Sequence, residues 1–428
     1  MLTLNIITLG CSKNTVDSEW LASSLSRKGY DVFFDDETLN QDIVLVNTCG
    51  FIGDAKEQSI DTIFQVVAAK KQGDIKKIIV FGCLVERYKK ELETEIPDVD
   101  AFFGVHEWDK ILSTLEAEDI FPNYENRIIS TPRHYAYLKI AEGCNRRCSF
   151  CAIPNIRGHY VSRSEEDIVA EARCLKQQGV REILLIAQDT TFYGKDIDSN
   201  HRLPELLHKL AKDVNVDWFR LHYMYPQDLT EEMLDAMATH ANICKYIDLP
   251  LQHINSRILN SMRRHIDREG TYRVIAKVRE KIPNIALRTT LIVGYPGETE
   301  KDFQELKEFI TDVRFDRLGV FTYSPEEGTP AARLKETVSE PVKQARADEL
   351  MALQQEISLE KNTLKIGQVF PTLIDRHEGE YSIGRTEYDS PEVDNEVVIE
   401  DPSLKIGEFY SVKILSATEF DLMGKVEE

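Results

Sequence analysis

Short apolar segments alternate with helical patterns through residues 1–120, and this alternation limits how the chain can fold more strongly than any other feature. The strand candidates are Leu4–Thr8, Ile43–Thr48 and Lys77–Phe81, and a helical pattern follows each of the first two. Alternating strands and helices are typical of an open parallel sheet that is covered by helices. We therefore predict an amino-terminal domain of this kind over residues 1–120.

A cysteine follows each of these three strands within three residues. The cysteines are Cys11, Cys49 and Cys83, and each has a glycine beside it. Because the carboxyl ends of parallel strands lie at one edge of a sheet, where ligands bind, the three thiols are expected to meet. Glycine lets the backbone approach a bulky group closely. The pattern predicts three ligands of an iron–sulfur cluster with one open iron; three buried structural cysteines are the alternative.

A second set of three thiols lies in the run Cys144-Asn-Arg-Arg-Cys148-Ser-Phe-Cys151. Tight local spacings of this kind hold iron–sulfur clusters, usually through four thiolates for a four-iron cluster. This run supplies only three, which would leave one iron open to another ligand and so indicates a reactive site. A zinc site would need a fourth ligand, usually from a second Cys or His pair. The nearest later candidates, His159 and Cys174, do not form such a pair.

From Tyr135 a new series of strand and helix patterns begins. The strand candidates are Tyr137–Ile140, Arg181–Ala187, Trp218–His222, Tyr246–Leu249, Ala286–Val293 and Arg317–Tyr323. Repeated units of this type predict a full or partial TIM-type barrel, whose site lies at the carboxyl ends of its strands. The segment from about 121 to 133, with Pro122 and Pro132, is interpreted as the linker before this barrel.

Four polar side chains in these strands or just after them are predicted to line the barrel's pocket. They are Gln188, Gln252, His253 and Arg288. The forked guanidinium of Arg288 suits a carboxylate of a cofactor or substrate, and a plain ion pair is an equally good interpretation. For His253, a hydrogen-bonded core position is the alternative.

After a charged amphipathic helix over Val342–Leu364, the pattern changes to short strands separated by Gly, Asp and Asn. It predicts a small β-barrel of the oligonucleotide-binding (OB) type over residues 365–428. Residues 366–428 contain 5 Lys and Arg against 15 Asp and Glu, a net of −10 in a chain of net −21. A surface that follows nucleic-acid phosphates needs the opposite sign, so a basic protein is the expected partner.

Three segments around the first cysteine set, Leu9–Glu19, Val46–Ile52 and Gly82–Tyr88, resemble the methylthiotransferase family. The Cys-x3-Cys-x2-Cys run with an aromatic before its last cysteine resembles the radical S-adenosylmethionine (SAM) superfamily. The resemblance implies SAM and two [4Fe–4S] clusters as cofactors, with Phe150 against the adenine of SAM. The implied ligands are one set per cluster: Cys11, Cys49 and Cys83 for the auxiliary cluster, and Cys144, Cys148 and Cys151 for the SAM cluster.

The resemblance also predicts three domains: a methylthiotransferase amino-terminal domain (1–120), a radical SAM core (130–364) and a TRAM domain (365–428). Within the family, the sequence around the first cysteine set is most similar to the branch that modifies an aspartate of ribosomal protein uS12. The predicted reaction is transfer of a methylthio group to the β-carbon of that aspartate. A tRNA adenosine methylthiotransferase, which would share every cysteine, and a non-catalytic iron–sulfur carrier or scaffold are the alternatives.

The expected partners are uS12, docked through the acidic TRAM domain, and an electron donor. Free RNA and membranes are not expected, since the chain is acidic and has no long apolar stretch. The start, Met1-Leu-Thr-Leu-Asn5, lacks the positive region and cleavage site of a signal peptide. Six cysteines in settings that suit a metal also favour a reducing compartment. Together these features predict a cytoplasmic protein.

Overall fold

The computed structural model describes residues 2–117, 126–199 and 202–427. Its amino-terminal part consists of five strands and four helices: β1 (Thr3–Thr8), α1 (Ser12–Arg27), β2 (Asp31–Phe34), β3 (Ile43–Thr48), α2 (Gly53–Gln72), β4 (Lys77–Gly82), α3 (Cys83–Glu95), β5 (Ala101–Phe103) and α4 (Trp108–Thr114). The strands form one parallel sheet in the order β2-β1-β3-β4-β5. The predicted open parallel sheet is confirmed, with two short additional strands, β2 and β5, at its edges.

Two separate apolar clusters cover the two faces of this sheet. One contains side chains of α1 and α4, and the other contains side chains of α2 and α3. Every residue of β3 is buried, as expected for a central parallel strand that is covered on both sides. Because β1, β3 and β4 are neighbours in the sheet, the cysteines that follow them come from three adjacent strand ends.

The described residues of the central part contain eight strands and nine α-helices: β6 (Tyr135–Lys139), β7 (Ala141–Glu142), α5 (Ile153–Arg157), β8 (Val161–Ser162), α6 (Glu165–Gln177), β9 (Glu182–Ile186), α7 (Lys195–Asp198), α8 (Leu203–Lys209), β10 (Trp218–Leu221), α9 (Glu231–Thr239), β11 (Tyr246–Asp248), α10 (Ser256–Ser261), α11 (Arg268–Lys281), β12 (Ala286–Val293), α12 (Glu300–Val313), β13 (Arg317–Thr322) and α13 (Glu340–Thr363). The strands β6, β9 and β10 form one parallel sheet, and β11, β12 and β13 form another. A parallel bridge between Phe219 and Ile243 joins the two sheets. The architecture is a partial barrel of six parallel strands in chain order.

The predicted linker, residues 121–133, lies partly outside the described residues, and its described part contains a buried arginine. Arg127 is 1% exposed and donates to Glu19 of α1 (2.7 Å) and Glu171 of α6 (2.8 Å). Burial opposes the charged form, but the two carboxylates outweigh it and raise the pKa of Arg127. This segment therefore ties the amino-terminal sheet to the barrel through a buried ion-pair network.

The carboxyl-terminal part contains the strands β14 (Val369–Glu378), β15 (Tyr381–Arg385), β16 (Val397–Ile399), β17 (Phe409–Ala417) and β18 (Leu422–Val426). They form a closed barrel with the strand order β14-β15-β16-β18-β17. Its core contains Ile374, Val397, Val412 and Leu422. The predicted small β-barrel is confirmed, and its fifth strand was not identified from the sequence.

Residues 386–395, which lie between β15 and β16, insert into the central barrel from the amino-terminal ends of its strands. We call these residues the inserted segment. Its Asp394 accepts from the hydroxyl of Tyr246 (2.7 Å), the first residue of β11. Its Asp389 accepts from Nε of Arg317 (3.0 Å), the first residue of β13. The carboxyl-terminal barrel thus closes one end of the central barrel and leaves the opposite end for the site.

None of the helices in the described ranges has the length and apolar character that a membrane span requires.

Candidate active site

A cavity of about 320 Å³ lies at the carboxyl ends of the central strands, where the amino-terminal sheet faces the partial barrel. Residues of both domains line it, and none of the predicted ligand cysteines forms a disulfide. The structure brings both sets of predicted ligands to this cavity: Cys11, Cys49, Cys83, Cys144, Cys148 and Cys151.

Glycines make room for the first cysteine set at the end of the amino-terminal sheet. Gly10 has a φ of +98°, and a Cβ there would lie 2.9 Å from the sulfur of Cys49. Gly82 has a φ of +105°, and a Cβ there would lie 2.7 Å from the carbonyl oxygen of Thr48. Real side chains do not tolerate such approaches in these backbone conformations. The two glycines therefore allow the strand ends that precede Cys11, Cys49 and Cys83 to contact one another closely.

Burial favours the protonated form of four of the six thiols. Burial raises the pKa of Cys83 and of Cys144 to about 11, and it also raises the pKa of Cys49 and Cys151. Thiolates are the form that ligates iron, and metal binding displaces their protons. In the described part of the chain no three ligand side chains converge on a single ion position. An iron–sulfur cluster does not need that convergence, because each iron takes its own thiolate.

Arg157 links the two cysteine sets. It lies at the end of α5, six residues after Cys151, and extends into the amino-terminal domain. Its guanidinium donates to Asn14 (2.6 Å) and to Asp17 (2.7 Å). Burial opposes its charge, but neighbouring groups including Glu142, Cys83 and Asp17 raise its pKa well above the ordinary value. The sequence analysis did not identify this residue; its place just after the cysteine run was the available signal.

Two further arginines lie beside the second cysteine set. Arg264 donates to the sulfur of Cys148 (3.4 Å), and the backbone N–H of Arg146 donates to the sulfur of Cys144 (3.4 Å). The ring of Tyr225 lies 3.9 Å from Arg146 and 4.2 Å from Arg264. Hydrogen bonds to cluster sulfurs are one of the ways in which a protein adjusts such a group. These residues, too, were not predicted.

Three of the residues that were predicted to contact a cofactor line the cavity: Phe150, Gln188 and Gln252. Among the described residues, the amide oxygens of Gln188 and Gln252 are buried without a hydrogen-bond partner. The amide nitrogen of Gln188 donates to Glu142 (2.8 Å), which fixes the orientation of its side chain. Buried acceptors without partners are unfavourable in an empty site, so their placement fits a ligand that carries N–H or O–H donors.

Arg288 does not lie in the cavity. It is the third residue of β12, near the amino-terminal end of the barrel, and it pairs with Asp248 (3.1 Å) and with Asp394 of the inserted segment (3.3 Å). The ion-pair interpretation agrees with this position, and binding of SAM by Arg288 does not. His253 is fully buried, and its Nδ1 accepts from the backbone N–H of Asn255 (3.0 Å). It fits the alternative of a hydrogen-bonded core residue.

Three family models match the chain in the same order as its three structural parts. Residues 3–104 match the Uncharacterized protein family UPF0004, residues 138–310 match the Radical SAM superfamily, and residues 366–426 match the TRAM domain.

Curated relatives match over the whole length. "Ribosomal protein uS12 methylthiotransferase RimO" from Phocaeicola vulgatus is 52% identical over 427 residues, which is 99% of this chain and 99% of that protein. The protein of the same name from Christiangramia forsetii is 51% identical over 424 residues, or 99% of this chain and 94% of that one. The chain belongs to the RimO family. Membership implies SAM and two [4Fe–4S] clusters as its cofactors, as the two cysteine sets predicted.

Solved structures confirm the fold of this RimO-family chain at low sequence identity. A radical SAM methyltransferase, TsrM from Kitasatospora setae, is 15% identical, with a TM-score of 0.57 over 83% of this chain and 89% of that one. OxsB, a cobalamin-dependent radical SAM enzyme, is 14% identical, with a TM-score of 0.54 over 84% of this chain and 56% of that one. The likeness concerns the fold alone.

Proposed function

We propose that this chain transfers a methylthio group to the β-carbon of an aspartate in ribosomal protein uS12 by radical SAM chemistry. One observation carries the proposal: two sets of three thiols, one local and one from three adjacent strand ends, face the same cavity. The full-length identity of about half to relatives that are named for this reaction supports the choice of substrate. These relatives do not favour the alternatives, a tRNA substrate and a purely structural cluster.

In this proposal each cysteine set holds one cluster. Cys144, Cys148 and Cys151 would hold the cluster that binds SAM, and Cys11, Cys49 and Cys83 would hold the auxiliary cluster. When bound, SAM and the two clusters supply the hydrogen-abstracting radical and the methylthio group. The protein's own contribution is to place one substrate carbon between the two sets and to keep water away from it.

Several side chains have assignable tasks in this arrangement. Gln188 and Gln252 offer their unpartnered amide oxygens to N–H or O–H donors of SAM. Phe150 gives the cavity an apolar surface that suits the adenine ring. Arg146 is held by Asp189 (2.7 Å) and by Asp228, which fixes the cysteine loop against the barrel. Arg157 keeps the amino-terminal sheet in register with that loop.

The docking of uS12 is proposed to use an acidic edge of the TRAM barrel. Glu378 and Glu380 lie at the β14–β15 turn, and Glu400 follows β16, which pairs with β15. All three are exposed. Opposite charge steers a basic partner to such an edge, and the effect weakens as salt screens it. Because the TRAM barrel covers the amino-terminal end of the central barrel, uS12 would have to extend from this edge to the cavity at the other end.

The reaction is tested by incubating the reconstituted enzyme with SAM, a reductant and either purified uS12 or unmodified tRNA. We expect a mass increase that corresponds to one methylthio group on a uS12 aspartate and none on tRNA. Modification of tRNA with none of uS12 would overturn the proposal. SAM cleavage without a product on either would agree with the cluster assignment and overturn the proposed substrate.

The docking surface is tested separately with a charge-reversal variant, Glu378→Lys, Glu380→Lys and Glu400→Lys. We expect kcat/KM for uS12 to fall on the order of tenfold at low salt and less at high salt. A matched control reverses three exposed residues on helices of the central barrel: Glu280→Lys, Glu308→Lys and Glu356→Lys. Equal losses in both triple variants would mean that net charge, and not this edge, governs docking.

A further inference from the structure

Four cationic side chains line the cavity, and three of them are already engaged. Arg146 is paired with Asp189 and Asp228, and Arg157 is paired with Asp17. Arg264 donates to the sulfur of Cys148 and to a backbone carbonyl oxygen, that of Pro250 (2.5 Å). The fourth cation, Lys13, differs from these three.

Lys13 is buried, at 6% exposure, and lines the cavity in the first turn of α1, two residues after Cys11. Its ammonium lies 3.0 Å from the centre of the Tyr223 ring. Within residues 2–117, 126–199 and 202–427, no carboxylate lies within ion-pair distance of it and no hydrogen bond engages it. The ring face attracts the ammonium, but it does not replace the hydrogen bonds that water would give.

The surroundings of Lys13 also favour an anion. The first turn of α1 contains no acidic residue, and the cap position, Cys11, makes no side-chain hydrogen bond to it. The positive end of this 16-residue helix therefore adds to the charge of Lys13 at the same wall of the cavity. A buried cation without a partner is unfavourable unless a ligand brings the opposite charge. The site thus fits a carboxylate.

We propose that Lys13 binds the side-chain carboxylate of the aspartate that is modified. This inference rests on the proposed function, because it is the substrate that brings the carboxylate. The reacting β-carbon of an aspartate is bonded directly to its carboxylate carbon, so this charged group must enter the cavity with it. The placement of Lys13 suits this task. It lies beside Cys11 of the auxiliary set, whereas Arg264 lies at Cys148, in the set that would bind SAM.

A carboxylate held in this way determines specificity. Asparagine has the same shape as aspartate but lacks the charge, and it would leave the ammonium unpaired. Removing one partner of a buried, hydrogen-bonded charge pair typically weakens binding on the order of 100-fold. Lys13 therefore explains how this cavity would distinguish aspartate from its neutral analogue, and it assigns the choice to one residue of the amino-terminal domain.

The test is a double-mutant cycle between the enzyme and its substrate. Wild-type enzyme and Lys13→Met, both cluster-loaded and with SAM present, are titrated with uS12 and with uS12 whose modified aspartate is replaced by asparagine. For the wild type we expect the asparagine form to bind on the order of 100-fold more weakly. For Lys13→Met we expect the two forms to bind within about threefold of each other, because no charge remains to be paired. If both enzymes discriminate by the same factor, the proposal is wrong.

Two controls separate this outcome from general damage. Lys89→Met removes a half-exposed lysine of the same domain, paired with Glu107 at 3.0 Å, and should leave discrimination unchanged. Iron per chain and the thermal midpoint of Lys13→Met should match the wild type; if it does not fold, Lys13→Gln takes its place in the same cycle. Failure of the proposed function is measured separately, in the modification assay. Wild-type enzyme that modifies tRNA and not uS12 would overturn both the proposed function and the role of Lys13. Modified uS12 together with equal discrimination by both enzymes would overturn only the role of Lys13.

Discussion

The two ends of the central barrel differ in whether their buried charges have a charged partner. At the amino-terminal end, charges are matched: Arg317 pairs with Asp389, and Arg288 pairs with Asp248 and Asp394. At the carboxyl-terminal end, the amide oxygens of two glutamines have no partner among the described residues. Lys13 lines the same cavity with its ammonium on an aromatic ring.

This difference indicates that the amino-terminal end of the barrel contributes stability and that the carboxyl-terminal end carries the reaction. Buried polar groups in a folded protein are normally paired, and those that are not deserve a functional explanation. In barrels of this type, ligand sites occur at the carboxyl ends of the strands, and the opposite end contributes stability. Substitutions at the amino-terminal end are therefore expected to change the free energy of unfolding, and those at the cavity are expected to change the reaction.

The largest expected effect is at the cavity, where the two cysteine sets can be removed one at a time. Cys148→Ala should lose about half of the iron and all SAM cleavage, since its cluster binds SAM. Cys49→Ala should also lose about half of the iron, yet it should still cleave SAM to 5′-deoxyadenosine without forming a methylthio product. Iron analysis and chromatography of the nucleoside measure both. Product formation by Cys49→Ala would show that the auxiliary-cluster assignment is wrong.

The next effect is at the opposite end, where Arg317→Met would leave Asp389 buried without its partner. Burial by itself would raise the pKa of Asp389, but Arg317 outweighs it and holds the pKa below the ordinary value. Breaking such a pair costs about 3–5 kcal/mol, which denaturant unfolding would detect. The control Arg273→Met removes an exposed pair with Glu269 and should cost at most about 0.5 kcal/mol. A variant with wild-type stability but impaired SAM cleavage would contradict the separation.

A third test concerns the backbone at the cavity. Gly10→Ala and Gly29→Ala both place a side chain at a positive φ, +98° and +94°, but only the first meets a neighbour, the Cys49 side chain at 2.7 Å. Gly29→Ala should cost about 1–2 kcal/mol from backbone strain. Gly10→Ala should cost about 1–3 kcal/mol more and should lower the iron content, because Cys49 must move. Equal iron contents in the two variants would mean that the strand ends tolerate more movement than this contact indicates.

The smallest expected effect is a pH dependence inside the barrel, at the residue that directly follows β10. Burial lowers the pKa of His222 to about 3, and its Nε2 lies 2.9 Å from the hydroxyl of Ser390 in the inserted segment. Between pH 6.5 and about 3 the unfolded chain binds this proton and the folded chain does not, so stability falls as the pH falls. From pH 6.5 to 5.5 the contribution is about 1 kcal/mol. His222→Gln should remove that slope; an unchanged slope would assign it to other groups.

Much of the fold could be predicted because its signals are local. The strands β3 and β12 were predicted with the bounds that the structure has, Ile43–Thr48 and Ala286–Val293, since apolar runs mark them. The strand β18 was missed, as its five residues include Gly424 and alternate only weakly. The edge strand β2 has an equally weak sequence pattern, because its pairing with β1, and not its own sequence, stabilises it.

The residues of the candidate site could be predicted where they directly follow the ends of predicted strands. Cysteine spacing and strand topology led to all six thiols, and position after a strand led to Gln188 and Gln252. Arg288 was assigned to the pocket for its guanidinium, although it is the third residue of the predicted strand Ala286–Val293 and therefore lies near the amino-terminal end of that strand. Lys13 and Arg157 were missed for another reason: a lysine in a first helical turn and an arginine ending a short helix are usually surface residues, and only the contact between two domains buries them.

The inserted segment also limits how the carboxyl-terminal barrel can be exchanged between proteins. Tyr135 donates to Glu392 (2.8 Å) and Tyr246 donates to Asp394, so ten residues of one domain complete the interior of another. A chimera that carries a foreign TRAM barrel would expose these tyrosines, together with Arg288 and Arg317, to water or to mismatched neighbours. Recombination at residue 365 would therefore succeed only between chains whose inserted segments and strand beginnings match each other.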